Sequence, residues 1–153
     1  MTEFELNLYW AKLVKEFGKP TILKVSENNL FKNAENTCSR DAYGGSSWID
    51  YWRSVTRNLA TTLRCSSCDK EIVVGEPSCN QKLEWLLMGD TEDEHKAEGG
   101  HVWLTSPKGA DWQGGRYITP LCPACNAKRG RHIILKKGSV LCKEVCANTD
   151  MNV

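Results

Sequence analysis

The chain has almost no net charge, +1 at pH 7 over 153 residues, so no strong field draws it as a whole to nucleic acid. It contains no run of about 18 apolar residues, which excludes a helical membrane span. Its start, Met1-Thr2-Glu3-Phe4-Glu5, lacks the positive charge and apolar stretch of a secretory signal. No Gly-x-Gly-x-x-Gly, P-loop or Ser–His–Asp pattern is present, so dinucleotide, phosphate-loop and serine-nucleophile chemistry have no sequence support. Internal repeats and low-complexity segments are also missing, which removes repeat architectures. With 41% hydrophobic and 25% charged residues, the remaining expectation is one domain, or one domain with a helical extension.

What is abundant is cysteine, eight in all. Four stand in two close pairs, Cys65-Ser66-Ser67-Cys68 and Cys122-Pro123-Ala124-Cys125. Two residues between thiolates let both sulfurs reach one tetrahedral Zn²⁺, and two such pairs complete a closed shell of four sulfurs. A closed shell is a structural site. The 53 residues between the pairs are no obstacle, because loop-closure cost grows only logarithmically. Adjacent bridges of a secreted disulfide framework suit this spacing less well, so a reducing, cytoplasmic setting is expected. Cys142-x-x-x-Cys146 could be half of a second zinc site completed by Cys79, Cys38 or His132. Free thiols are the simpler reading.

Apolar spacing predicts a helix over 3–17, with a stripe of Phe4, Leu8 and Ala11 widened by Trp10, Leu13, Val14 and Phe17. Gly18-Lys19-Pro20 stops it. Residues 21–25 read as a short strand or extended connection, and 26–46 as mostly loop. Ser46 and Ser47 are candidate N-caps for a second helix from Trp48 to about Leu63. After the first cysteine pair come a strand at 71–74, a short helix around 83–88 and an exposed acidic loop at 90–98. Val102-Trp103-Leu104 and Tyr117-Ile118-Thr119 read as two strands of a hairpin, with turn material at 106–109 and 113–116. Asn126 begins a helix of a few turns at most. Ile133–Leu135 and Ser139–Leu141 flank Lys136-Lys137-Gly138, a second hairpin signal.

Charge is uneven. Residues 90–98 form an acidic run, whereas Arg116 to Lys143 holds seven basic residues and no acid. The basic segment follows the second cysteine pair and could face phosphate, through Lys128, Arg129, Arg131, Lys136 and Lys137. A solvated helix and hairpin edge is the bland alternative. Trp103, Trp112 and Tyr117 could stack bases, or pack over the metal.

Gly99-Gly100-His101-Val102, followed by Tyr117-Ile118-Thr119-Pro120-Leu121-Cys122-Pro123-Ala124-Cys125-Asn126 and a basic tail, resembles the HNH nuclease-like, treble-clef zinc family. With Trp48-Ile49-Asp50-Tyr51-Trp52 before the first pair, it looks like small bacterial or phage members of that family over residues 47–142. The resemblance implies an α+β protein, its helical N-terminal part packed on a treble-clef, HNH-like ββα zinc core. The expected division is an extension over 1–46, which the resemblance does not cover, an HNH-like zinc-binding domain over 47–146 and a disordered tail over 147–153. Cys65, Cys68, Cys122 and Cys125 would hold a structural Zn²⁺. His101 matches the family's general base, and Asn126 its position after Cys-x-x-Cys. Gly100 stands where a metal ligand is usual and Tyr117 where an orienting Asn is usual, which leaves too few ligands for a hydrolytic metal. The leading expectation is a non-catalytic protein that binds nucleic acid or a nucleic-acid-associated partner. The alternatives are a metal-dependent endonuclease using His101 and Asn126, and a protein–protein inhibitor or adaptor such as a phage counter-defence factor, for which the acidic loop matters more.

Overall fold

A computed structural model describes residues 1–27, 29–34, 41–105, 111–128 and 130–145. Helix α1 spans Glu3–Phe17, capped by Thr2, whose hydroxyl accepts from the Glu5 N–H at 3.1 Å. It stops at Gly18, where φ is +75°. Its buried stripe is Leu6, Tyr9 and Leu13, while Phe4 and Leu8 face water. The expected stripe is therefore rotated. Tyr9 brings a core ring whose hydroxyl meets Ser46 Oγ at 3.2 Å, and this draws Leu6 and Leu13 inward with it.

Helix α2 spans Trp48–Thr56 behind Ser47, whose hydroxyl caps the Asp50 N–H. It is shorter than its apolar periodicity predicts. Arg57 takes the left-handed conformation at φ +60°, and buried Arg53 holds the chain that follows. The Arg53 guanidinium donates to the carbonyls of Leu59 and Ala60 at 2.9 and 3.1 Å and to Asp50 at 3.0 Å. Those bonds fold 57–61 back and leave β3, Thr62–Arg64, to pair with β4, Glu71–Val73.

The remaining strands form one antiparallel sheet. They are β1 (Ile22–Lys24), β2 (Asn29–Asn33), β5 (Glu98–Thr105), β6 (Asp111–Leu121), β7 (His132–Leu135) and β8 (Val140–Lys143), in the order β1-β8-β6-β5-β2-β7. Two strands thus come from the first 46 residues and lie in the sheet that carries His101. β2 falls where loop is expected. Its Asn-rich sequence has low strand propensity, yet it pairs on both sides, with β5 and β7. Residues 113–116 lie within β6 rather than in a turn, so the β5–β6 hairpin is longer than its sequence signals. β7 and β8 do not pair with each other as expected. β7 joins β2, and β8 joins β6 and β1. The link between them is held elsewhere: Lys136 N–H donates to the Ser66 carbonyl at 2.9 Å, and Gly138 N–H to the Val25 carbonyl at 2.8 Å.

α2 packs its Tyr51, Trp52 and Val55 side against the sheet over β5, β6 and β8, and α1 lies against α2. Two further helices are α3, Cys79–Met88, and the single turn α4, Pro123–Asn126. The acidic run contains a short 3₁₀ turn, Glu92–His95. Glu92, Asp93 and Glu94 are exposed as expected, but Asp90 and Glu98 are half-buried and His95 is buried, stacked on Trp85 at 4.2 Å. The molecule is thus mixed α+β with antiparallel sheets.

Candidate metal centre

Each cysteine pair is delivered by a different local device. Cys65 and Cys68 sit on the turn between β3 and β4, closed by Asp69 N–H to the Cys65 carbonyl at 3.0 Å and Cys65 N–H to the Lys70 carbonyl at 2.9 Å. Asp69 takes the left-handed conformation, φ +67°, to close it. Cys122 and Cys125 sit at the start of α4, where Pro123 at the first helical position presets the backbone. Cys122 is the N-cap, and its sulfur accepts from the Cys125 N–H at 3.4 Å.

The four sulfurs lie within 4.8 Å of one another and no disulfide joins them. Cys68 Sγ and Cys122 Sγ are 3.7 Å apart. Four thiolates on a tetrahedral ion with bonds of about 2.3 Å would sit about 3.8 Å apart, whereas a disulfide needs about 2.05 Å. The residues therefore fit a metal. Cys65, Cys122 and Cys125 are buried and Cys68 is at the rim. Burial raises the Cys122 and Cys125 thiols, and the charge of Cys65 adds to it. At Cys65 burial also opposes ionisation, but the N–H groups of Ser67, Cys68 and Cys122 outweigh it and lower the thiol. Four ionised thiols this close would repel one another unless a cation lay between them.

The turn is tied to the main sheet by a polar shell. Ser66 N–H donates to the Pro120 carbonyl at 2.9 Å, and Ser66 Oγ meets Thr119 Oγ1 at 2.6 Å. Lys136 Nζ donates to the Cys65 carbonyl at 2.9 Å and pairs with Asp69. Lys136, expected on a phosphate-facing surface, is thus committed to the cysteine turn. Nothing in the sequence near Lys136 points to a partner 71 residues away.

His101 lies on β5 and is buried. Its ring meets the Trp48 ring edge-on at 4.7 Å, and Nε2 is 3.3 Å from Glu144 Oε2. Glu144 also accepts from Arg116 Nε at 2.8 Å. Alternate residues of a strand face opposite sides, and the neighbours obey this. Gly99 and His101 face Trp48, whereas Glu98 and Gly100 face Asn126. Asn126 donates to Glu98 Oε1 at 3.2 Å. Thus His101 and Asn126 stand on opposite faces of β5.

The two glycines are packing residues. A Cβ on Gly99 would lie 2.6 Å from the Trp48 carbonyl carbon, and one on Gly100 would lie 2.3 Å from Leu121 Cδ1 and 3.1 Å from Asn126 Oδ1. Leu121 therefore fills the space beside Asn126. Asn33, unmarked by any sequence signal, bonds the Cys125 and Asn126 carbonyls at 3.2 Å each and fixes the end of α4.

Of the basic residues from Arg116 to Lys143, Lys128, Arg131, Lys137 and Lys143 are exposed. Arg116 is paired with Glu144 and lies 5.9 Å over the Trp103 ring. Tyr117 is buried in β6, which removes it from any exposed stacking surface. Arg129, Cys38, Cys146, residues 147–153 and the side chain of Trp112 lie outside what is described. Cys142 is wholly buried in β8, and burial raises its thiol. Cys79 is exposed on α3, and the four-cysteine group is the one metal-ligating cluster of this kind among the described residues.

Glu144 gives a pH prediction. Burial raises its carboxyl above the ordinary value, and Arg116 opposes this only in part. Folding therefore tightens its proton, so this group adds stability as pH falls through the raised value toward about 4.3 and removes it as pH rises. In urea titrations the wild type should gain stability relative to Glu144→Gln on going from about pH 7 to about pH 5. A difference that does not change with pH would refute this.

Compared with protein-family models, curated proteins and solved structures, the chain matches none of them.

Proposed function

We propose that this protein is a zinc-stabilised, HNH-like binding protein that engages nucleic acid, or a nucleic-acid-associated partner, without cleaving it. Four sulfurs at tetrahedral spacing favour Zn²⁺ over harder divalent ions. The order of parts supports a treble-clef core: a cysteine turn between β3 and β4, the β5–β6 hairpin, then a second cysteine pair opening α4.

The observation that carries the non-catalytic reading is Leu121. Its isobutyl group occupies the place beside Asn126 where a side chain at position 100 would bring a second metal ligand. His101, the candidate base, is buried on the other face against Trp48 and Glu144. A general base must reach a water at hydrogen-bond distance of the scissile bond, and a hydrolytic ion needs several oxygen or nitrogen ligands. Among the described residues Asn126 has the Glu98 carboxylate beside it but belongs to no cluster of three ligating side chains, which favours binding without cleavage.

Lys128 and Arg131 support the phosphate-binding part, since both are exposed directly after the second cysteine pair. The full chain should bind labelled duplex or single-stranded nucleic acid with an affinity that falls steeply with salt. Lys128→Glu with Arg131→Glu should weaken binding at every sequence and flatten the salt slope by about one unit per lost contact. Plasmid incubated with Mg²⁺, Mn²⁺ or Ni²⁺ should stay intact. Absence of binding at low salt would remove the nucleic-acid reading, and nicking lost in His101→Ala would replace it with the endonuclease.

A further inference from the structure

The outer face of α3 is apolar where a surface helix should be polar. Leu83, Leu86, Leu87 and Met88 are 55%, 72%, 79% and 61% exposed. Cys79, Leu83, Leu86 and Leu87 fall at i, i+4, i+7 and i+8, which is one continuous stripe. Trp85 is the one residue of the helix that is buried. The helix therefore turns its aromatic side inward and its aliphatic side to water.

This arrangement is held in place. Ser78 and Gln81 form a reciprocal capping box at one end, and Gly89 closes the other at φ +82°. Trp85 stacks on His95 at an interplanar angle of 5°. His95 Nδ1 lies 2.6 Å from the Glu71 carbonyl and Nε2 lies 2.7 Å from Asp90. Gln81 reaches Thr62 at 3.1 Å. The helix is thus pinned before any partner arrives, which lowers the ordering cost of binding.

The surroundings of the stripe are acidic. Residues 76–98 hold seven acids against two lysines, Lys82 is already paired with Glu76 and Glu92, and of the two further cations beside Glu84 and Met88, Arg64 and Lys70, the second is paired with Glu94. Glu84 flanks the stripe on the helix itself, and exposed Glu92, Asp93 and Glu94 follow its C-terminal end.

We propose that the α3 face is a docking surface for a basic amphipathic segment of another protein, with aliphatic ribs flanked by Lys or Arg. Charge selects this occupant. A second copy related by a two-fold would set acidic rim against acidic rim, and anionic lipid would be repelled by the same groups. Aliphatic ribs fill the stripe while flanking cations meet the rim, which is the helix-to-groove mode of recognition. The surface uses none of the basic residues after Cys125, so it stands if nucleic-acid binding fails.

The test uses the full chain and two labelled amphipathic peptides with one leucine pattern, the first flanked by lysines and the second by glutamates. Fluorescence anisotropy should show binding of the first and at least about tenfold weaker binding of the second. Leu86→Glu with Leu87→Glu should weaken the lysine peptide by about tenfold or more and leave thermal unfolding and nucleic-acid binding unchanged. Glu84→Lys with Asp93→Lys should also weaken it. Equal binding of both peptides, no binding of either, or binding untouched by the leucine changes would overturn the proposal. Sedimentation showing self-association that the leucine changes abolish would instead assign the face to a second copy.

Discussion

Cys125→Ser should release the metal and unfold the protein around β3, β4 and β6. The magnitude follows from two scales. Structural zinc binding is worth roughly 10–16 kcal/mol, and a whole domain of this size is stable by only ~5–15 kcal/mol. Cys125 is buried and lies beside three other sulfurs, two of which are also buried. Removing one ligand leaves three sulfurs with an incomplete shell, in an environment that already raises the Cys122 thiol by burial. The damage should spread through Ser66, whose bonds to Pro120, Thr119 and Lys136 N–H tie the cysteine turn to the main sheet. Elemental analysis should find about one Zn²⁺ per wild-type chain, as one closed shell requires, and chelation should reproduce the variant's unfolding. Cys79→Ser, at an exposed thiol on α3, should do neither. Folded wild-type protein without zinc, or a Cys65–Cys68 disulfide, would refute the assignment.

Gly99→Ala should cost about 3 kcal/mol or more, although the added group is one methyl. The methyl would sit 2.6 Å from the backbone carbonyl carbon and Cβ of Trp48 and 2.8 Å from the Ile49 amide nitrogen. Those atoms belong to the first turn of α2, so relief requires the helix to lift off β5. Its departure would also disturb the Trp48 ring that packs on His101. At Gly100 the obstacle is the Leu121 side chain at 2.3 Å. A side chain can rotate where a backbone cannot, but Leu121 is fully buried, so Gly100→Ala should cost less than Gly99→Ala while remaining destabilising. Gly100→Asp is the change that would supply an HNH-type ligand. It should destabilise by more than Gly100→Ala and give no metal-dependent cleavage, because the carboxylate must displace Leu121 before it meets any ion. Chemical denaturation of the three variants checks the order. A Gly99→Ala protein as stable as the wild type would show that α2 does not press on β5 as described.

The local parts of this molecule were legible in the chain. The two Cys-x-x-Cys pairs pointed to the four cysteines that lie together, because metal spacing is a short-range property, written in four residues at a time. The stop at Gly18, the cap at Ser47 and the start of the second cysteine pair at Pro123 are similarly local, each governed by one or two dihedral angles. Periodicity was a weaker guide. It located α1 but not its buried face, because Tyr9 belongs to the core through its bond to Ser46, a residue 37 positions away.

The tertiary structure decided everything that depends on distant partners. β2 has no strand signal and exists because β5 and β7 offer it hydrogen bonds on both sides. The link over 136–138 reads as a hairpin turn, yet Ser66 and Val25 take its amide groups, and the flanking strands go to different neighbours. Lys136 reads as a surface cation and becomes a support of the cysteine turn. Gly100 reads as a lost ligand beside a histidine, and only the approach of Leu121 to it and of Trp48 to Gly99 reveals the pair as a requirement of packing. The leucines that the sequence offers as a short helix, with no buried face assigned, stand in solvent on α3, because Trp85 alone turns inward to His95. Sequence sets what each segment can do within a turn or two of itself. Which face is buried, and which charge is left over to meet a partner, is settled by residues that the fold brings from far along the chain.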